Sequence, residues 1–190
     1  MTLYKNKYRV ESARLKGFDY SSPGGYFVTI NTKMMLCWFG DVVDGEMQLS
    51  SIGEIVANEW LKTPTIRSNV LLDEWKVMPN HLHGIVVIGE SPTVIAETHN
   101  SASLHSDNPK SNAFGPQLHN LGSIIRGFKS AATNRIHTAG GEKFAWQPRF
   151  HDHIIRDDSE LNRIREYIIN NPLMWYYDKA NPKNIKIQHE

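Results

Sequence analysis

The stretch Met78-Pro79-Asn80-His81-Leu82-His83-Gly84-Ile85-Val86-Val87-Ile88 decides how the rest of the chain is read. Its apolar, β-branched second half, stopped by Gly89, reads as a buried strand. Pro79-Asn80 is a turn signal, so both histidines stand at the entry of that strand. Side chains alternate faces along a strand, which puts His81 and His83 on one face and Leu82 on the other. Two imidazoles on adjacent same-face positions can grip one divalent metal, and imidazole suits Mn, Fe, Co or Zn. A His-x-His is short, and without a partner elsewhere it reads more readily as two unrelated histidines.

Outward from this stretch, Val70 to Met78 is extended, and Pro79-Asn80 folds it onto the histidine strand as a hairpin. Further upstream, the turn Ser21-Ser22-Pro23-Gly24-Gly25 leads into a strand over Tyr26–Thr32 that is apolar or β-branched on both faces. Met34 to Phe39 extends this strand or forms its neighbour, and Gly40 to Gly45 reads as a turn-rich connection. Ser50 or Ser51 caps a helix, Ser51 to Glu54 having capping-box spacing, with Ile52, Ile55, Val56 and Trp60 as its stripe and Pro64 as its end. Strand, helix, strand, strand is the opening of a split βαβ, ferredoxin-like sheet.

Downstream, residues 89–117 lose all apolar periodicity and read as a mobile loop, in which His99 and His105 fall. Leu118, Leu121, Ile124, Ile125, Phe128, Ala132 and Ile136 then trace a helical stripe. Arg126, Lys129 and Arg135 lie off it, where they suit a phosphate backbone or a plain solvated face. Phe144 to Ile155 is a strand and its approach, carrying His151 and His153. Asp157 caps the last helix, whose stripe is Leu161, Ile164 and Ile168. Arg163, Tyr167 and Asn171 recur one turn apart on one flank of it, and Pro172 marks its end.

The chain has 190 residues, 40% hydrophobic and 22% charged, with a formal net charge of +1, which suits one soluble domain over 1–190. No global field draws it to nucleic acid or membrane, so such binding must use local patches. One is the segment from Tyr4 to Lys16, with Lys5, Lys7, Arg9, Arg14 and Lys16 interleaved with tyrosines; it reads equally as a solvated tail. A single cysteine, Cys37, rules out an intramolecular disulfide. No signal-peptide core and no apolar run of the ~20 residues a membrane helix needs are present, so a cytoplasmic protein is expected.

The His-hydrophobic-His strand, followed by a helix with one tyrosine and a polar residue four positions on, resembles the single-tyrosine HUH transposases. The nearer resemblance is to the REP-associated tyrosine transposases, or RAYT-like proteins. It is carried by Gly25-Tyr26-Phe27-Val28-Thr29-Ile30, Met78–Ile85, Ile124–Ala131, Trp146-Gln147, His153–Arg156 and Ile164–Pro172, in that order. It implies an α+β fold, a ferredoxin-like antiparallel sheet with helices packed on it. It further implies Tyr167 as nucleophile, His81 and His83 as metal ligands, and Asn171 as a third ligand where relatives often place glutamine.

The activity so implied is cleavage and rejoining of single-stranded DNA at hairpin repeats through a 5′-phosphotyrosine, with Mg²⁺ or Mn²⁺ as cofactor. Arg126, Lys129, Arg149, Arg156 and Arg163 are the expected DNA contacts, and the protein is expected to act as a monomer or homodimer. Two other readings stand beside it: a catalytically inactive hairpin-binding protein, and a metal-dependent hydrolase in which water attacks in place of Tyr167.

Overall fold

The computed structural model describes residues 18–89 and 120–185. The basic segment from Tyr4 to Lys16, His99, His105 and most of the expected loop lie outside the described residues.

Strand β1 (Gly24–Asn31) is followed by a 3₁₀ turn and a small hairpin, β2 (Gly40–Val43) and β3 (Glu46–Leu49). Helices α1 (Ser51–Leu61) and α2 (Thr63–Ile66) come next, then the hairpin of β4 (Val70–Met78) and β5 (His81–Ile88). Helix α3 (Leu121–Thr138), strand β6 (His151–Ile155), helix α4 (Asp158–Met174) and the short α5 (Pro182–Ile185) complete the order. The four long strands form one antiparallel sheet in the order β4-β5-β1-β6. Read with α1 between the first two long strands and α3 between the last two, this is the ferredoxin-like βαββαβ arrangement expected from the sequence.

Each long helix begins where a side chain satisfies an orphan N–H. Ser50 accepts from Gly53, Asn120 from Ser123 and Asp157 from Glu160, at 3.1, 2.8 and 2.8 Å. The capping residue of α1 is thus Ser50 rather than Ser51.

The sheet separates two unlike faces. On one, Tyr26, Val28 and Ile30 of β1 and Leu82, Val86 and Ile88 of β5 meet α1 and α3 in the main core. Trp60 lies edge-on to Phe128 there, ring centres 5.0 Å apart. Its indole rests where Gly84 has no side chain; a Cβ at Gly84 would come within 2.6 Å of it. On the other face, Ile85, Ile164 and Ile168 form a small cluster with Phe27, Val87, Ile155 and Leu161, and this seats α4.

Strand β4 serves the main core with Val70 and Leu72 before Asp73-Glu74, and with Trp75 and Val77 after it. The change of parity comes from one extra residue between Leu72 and Trp75, a bulge against β5.

Three local expectations are corrected. Gly40 to Gly45 is no irregular connection but most of the β2–β3 hairpin, closed by Asp44 and Gly45, both at positive φ (53° and 78°). Asp-Gly supplies the backbone such a two-residue loop needs. Pro64 sits at the start of α2, where a missing N–H costs nothing, rather than ending α1. Pro172 lies inside α4, which continues to Met174. The helix forgoes one bond to the preceding turn there, and Pro172 and Trp175 are both buried.

Candidate active site

On the α4 face of the sheet, strand alternation brings Thr29 of β1 and His81 and His83 of β5 side by side, Thr29 lying opposite His83 and Asn31 opposite His81. Helix α4, held by Ile164 and Ile168, lays Tyr167 over them. The Tyr167 hydroxyl is 3.3 Å from His83 Nε2, and His83 Nε2 is 3.0 Å from His81 Nε2. Three groups separated by up to 86 positions in the chain thus meet at one point. Tyr167, His81 and His83, each expected from the sequence at the site, are brought together.

Aromatic edges fix the tyrosine. Phe27 meets it edge-on at 6.1 Å and the His83 ring at 5.2 Å, while Phe27 stacks on His83 at 5.3 Å. The histidines are 2% and 4% exposed, whereas Tyr167 is 49% exposed. A phenol half open to solvent above two buried imidazoles is accessible to a large substrate without being loose.

Hydrogen bonds assign the proton on His81. The Asn80 amide nitrogen donates to Met35 O (3.0 Å) and Ala180 O (2.7 Å), so its carbonyl oxygen faces His81 Nδ1 at 2.8 Å. An amide oxygen only accepts, so Nδ1 carries the hydrogen and Nε2 offers its lone pair toward His83. On its far side, His83 Nδ1 is 2.9 Å from the Thr29 hydroxyl.

Burial pushes the His81 pKa down to about 4, and burial together with the neighbouring His81 holds that of His83 well below the ordinary imidazole value. Both rings are neutral at physiological pH, the state in which imidazole ligates a metal. Tyr167 is shifted the other way: burial, then Asp178, raise its pKa, opposed by a hydrogen bond from Asn171.

The donor set fits a divalent metal. With metal–nitrogen bonds of about 2.1 Å, two cis ligands stand about 3 Å apart, as the two Nε2 atoms do. Asn171 is 3% exposed, and its Oδ1 is buried without a hydrogen-bond partner among the described residues. That oxygen is an acceptor in want of a partner. Among the described residues no group of three His, Cys, Asp or Glu side chains is placed to hold a metal, and the Asn171 oxygen is a neutral candidate for a further ligand.

The five expected DNA contacts fall in different places. Arg163 is exposed beside Tyr167 in a cleft of about 280 Å³ with Glu166, Asn170, Asn171 and Met174, and its guanidinium is 3.5 Å from Glu160. Arg149 and Arg156 flank β6, the free edge of the sheet. Arg126 and Lys129 are on α3, across the sheet from Tyr167. The Lys129 ammonium is turned inward onto the Gln147 and Arg149 carbonyl oxygens, 5.9 Å from the Trp146 ring, and burial lowers its pKa to about 8. His153, a conceivable reach toward the metal pair, instead bonds Glu160 at 2.8 Å.

Sequence reading missed Thr29, Asn80 and Asp178. Asp178 lines the cleft of about 220 Å³ that holds Thr29, His81, His83 and Tyr167, and its Oδ1 accepts from Ala180 N at 2.7 Å. Thr29 was legible as the same-face partner of His83 once β1 and β5 were paired. Asn80 was read only as a turn residue, and nothing in the sequence marks Asp178.

No protein-family model matches the chain. A curated Haemophilus influenzae protein, described only as uncharacterized, is 36% identical over 168 residues, 88% of this chain and 91% of that one. The chain belongs to one family with it. A solved structure of a REP-associated tyrosine transposase bound to a REP hairpin matches with a TM-score of 0.54 and 19% identity, over 84% of this chain and 73% of that one. The resemblance read from the sequence therefore holds at the level of the fold.

Proposed function

We propose that this chain is a single-stranded DNA endonuclease and strand transferase of the transposase type, acting at hairpin repeats with Tyr167 as nucleophile. The observation that carries the reading is the convergence of the Tyr167 hydroxyl on two neutral, buried imidazoles whose Nε2 atoms face each other at 3.0 Å. The transposase fold shared with a protein bound to a REP hairpin supports the substrate class.

Mg²⁺ or Mn²⁺, held by His81, His83 and the Asn171 oxygen, would polarise the scissile phosphate and offset the charge that develops on it. Tyr167 supplies the phenolic oxygen that bonds to phosphorus as the bond from phosphorus to the 3′ oxygen breaks. The phenol gives up its proton and the departing 3′ oxygen takes one, leaving a 5′-phosphotyrosine and a free 3′-hydroxyl. The covalent link conserves the phosphodiester, so a second 3′-hydroxyl reverses the step without ATP.

Burial keeps Tyr167 protonated at neutral pH, and the Asn171 hydrogen bond acts against that, favouring the phenolate. Phe27 and His83 hold the ring, so the nucleophile is positioned before substrate arrives. Arg163, which lines the same cleft as Tyr167, would meet a phosphate next to it.

Covalent trapping tests this. Labelled oligonucleotides carrying palindromic hairpins, incubated with protein and Mn²⁺ and run under denaturing conditions, are expected to give a shifted band that Tyr167→Phe abolishes. Cleavage surviving in Tyr167→Phe would point to attack by water, and tight binding without any adduct to a hairpin-binding protein.

A further inference from the structure

We infer that Thr29 is a positioning residue that lets His83 exchange the places of its proton and its lone pair, so that the two histidines pair with each other without metal and jointly hold one when it binds. This rests on the reading of His81 and His83 as a metal-holding pair.

Asn80 fixes His81 in one tautomer, with its Nε2 lone pair aimed at His83 Nε2 3.0 Å away. Two lone pairs at that distance repel, so without metal His83 carries its hydrogen on Nε2, between the His81 lone pair at 3.0 Å and the Tyr167 oxygen at 3.3 Å, and donates it to the nearer. His83 Nδ1 is then an acceptor, and the group 2.9 Å from it, the Thr29 hydroxyl, must donate. A metal held by both Nε2 atoms requires the reverse. The His83 hydrogen then sits on Nδ1 and needs an acceptor at the same 2.9 Å. A hydroxyl carries one hydrogen and two lone pairs on a rotatable bond, so it serves either state. The Asn80 oxygen serves only one. The ring stays neutral throughout: one proton leaves Nε2, one arrives at Nδ1, and water exchanges them.

On its face of the sheet Thr29 lies between Phe27 and Asn31 on β1, opposite His83 on β5 and His151 on β6. Valine has the shape of threonine and the strand propensity for this site, but neither donates nor accepts.

The test compares wild type, Thr29→Val and Thr29→Ser by calorimetric titration with Mn²⁺ alone. Histidine ¹⁵N spectra are recorded in parallel without metal and with diamagnetic Zn²⁺. Serine is expected to bind within about threefold of wild type. Valine should bind about 10–100-fold more weakly, the usual cost of losing a group that orients a ligand. Without metal, His81 should be protonated at Nδ1 and His83 at Nε2, and Zn²⁺ should move the His83 proton to Nδ1. Valine binding as tightly as wild type, or a His83 already protonated at Nδ1 without metal, overturns the inference. Wild type failing to bind Mn²⁺ overturns the metal reading itself, and this inference with it. Should Thr29→Val fail to fold, the wild-type spectra still decide.

Discussion

The two faces of the sheet are built by opposite rules. Toward α1 and α3, the residues are large, apolar and interlocked: Trp60, Phe39, Phe128, Phe144 and Trp146 pack with the aliphatic side chains of β1 and β5. Toward α4, the buried apolar cluster is three isoleucines, and the space beside it is given to two neutral histidines, an amide whose oxygen has no partner among the described residues, and a half-exposed phenol. One face supplies stability and the other gives some up to hold polar groups in readiness. Damage to the first should appear in unfolding and damage to the second in chemistry, which gives the comparison its tests.

The largest stability effect belongs to the α1/α3 face. Trp60→Ala should cost about 3–5 kcal/mol in denaturant unfolding, whereas Trp60→Phe should cost much less. The Trp60 indole N–H has no partner among the described residues, so phenylalanine forfeits no hydrogen bond. Equal losses for both substitutions would mean the indole nitrogen is doing something the packing does not show.

The next effect is on the α4 face and depends on pH. The folded state holds the His81 pKa near 4, below the ordinary 6.5, so the unfolded chain takes up a proton first as pH falls. This contribution is intact above about pH 6.5 and is lost between there and pH 4, by about 3 kcal/mol at 1.36 per pH unit. Urea midpoints at pH 7.5 and 4.5 measure it together with the share of His83, and His81→Gln should reduce the slope to what His83 contributes.

A smaller effect tests whether placing α4 matters more for rate than for stability. Arg165, two residues before Tyr167, pairs with both oxygens of Asp73 at 2.8 and 2.5 Å, tying α4 to the β4 bulge. The pair is partly exposed, so Arg165→Ala should cost under about 1 kcal/mol in unfolding. It should nonetheless slow cleavage at saturating DNA tenfold or more, because a small displacement of a nucleophile is expensive. Equal, small losses in both would show that the isoleucine cluster alone sets the helix.

The smallest effect separates the two cations of α3. Lys129→Met should lower stability by about 1 kcal/mol, through the carbonyls of Gln147 and Arg149, with the salt dependence of DNA binding unchanged. Arg126→Ala should leave stability alone and reduce the salt slope by about one.

Periodicity made most of the fold legible. The 3.6-residue stripes of α1, α3 and α4 and the apolar, β-branched runs of β1 and β5 gave the order of elements, and that order sufficed for the sheet. The β4 bulge was not legible, because a parity change within an apolar run looks the same as a strand buried on both faces. The β2–β3 hairpin was missed although Asp44-Gly45 signals it, since its strands of four residues are too short to show alternation. In the site, Tyr167, His81 and His83 could be paired from spacing and resemblance. Asn80 and Asp178 could not, because each acts through a turn that only the folded chain brings to the histidines.

The most direct test is to identify the tyrosine that carries DNA. Trapped adduct, digested with nuclease and trypsin, yields the peptide Glu166–Lys179, which contains Tyr167 along with the exposed Tyr176 and Tyr177. Fragmentation by mass spectrometry is expected to place the residual nucleotide on Tyr167 alone, and to find none in protein incubated without Mn²⁺. A nucleotide on Tyr176 or Tyr177, or on Tyr167 irrespective of metal, would contradict the assignment of chemistry to the α4 face.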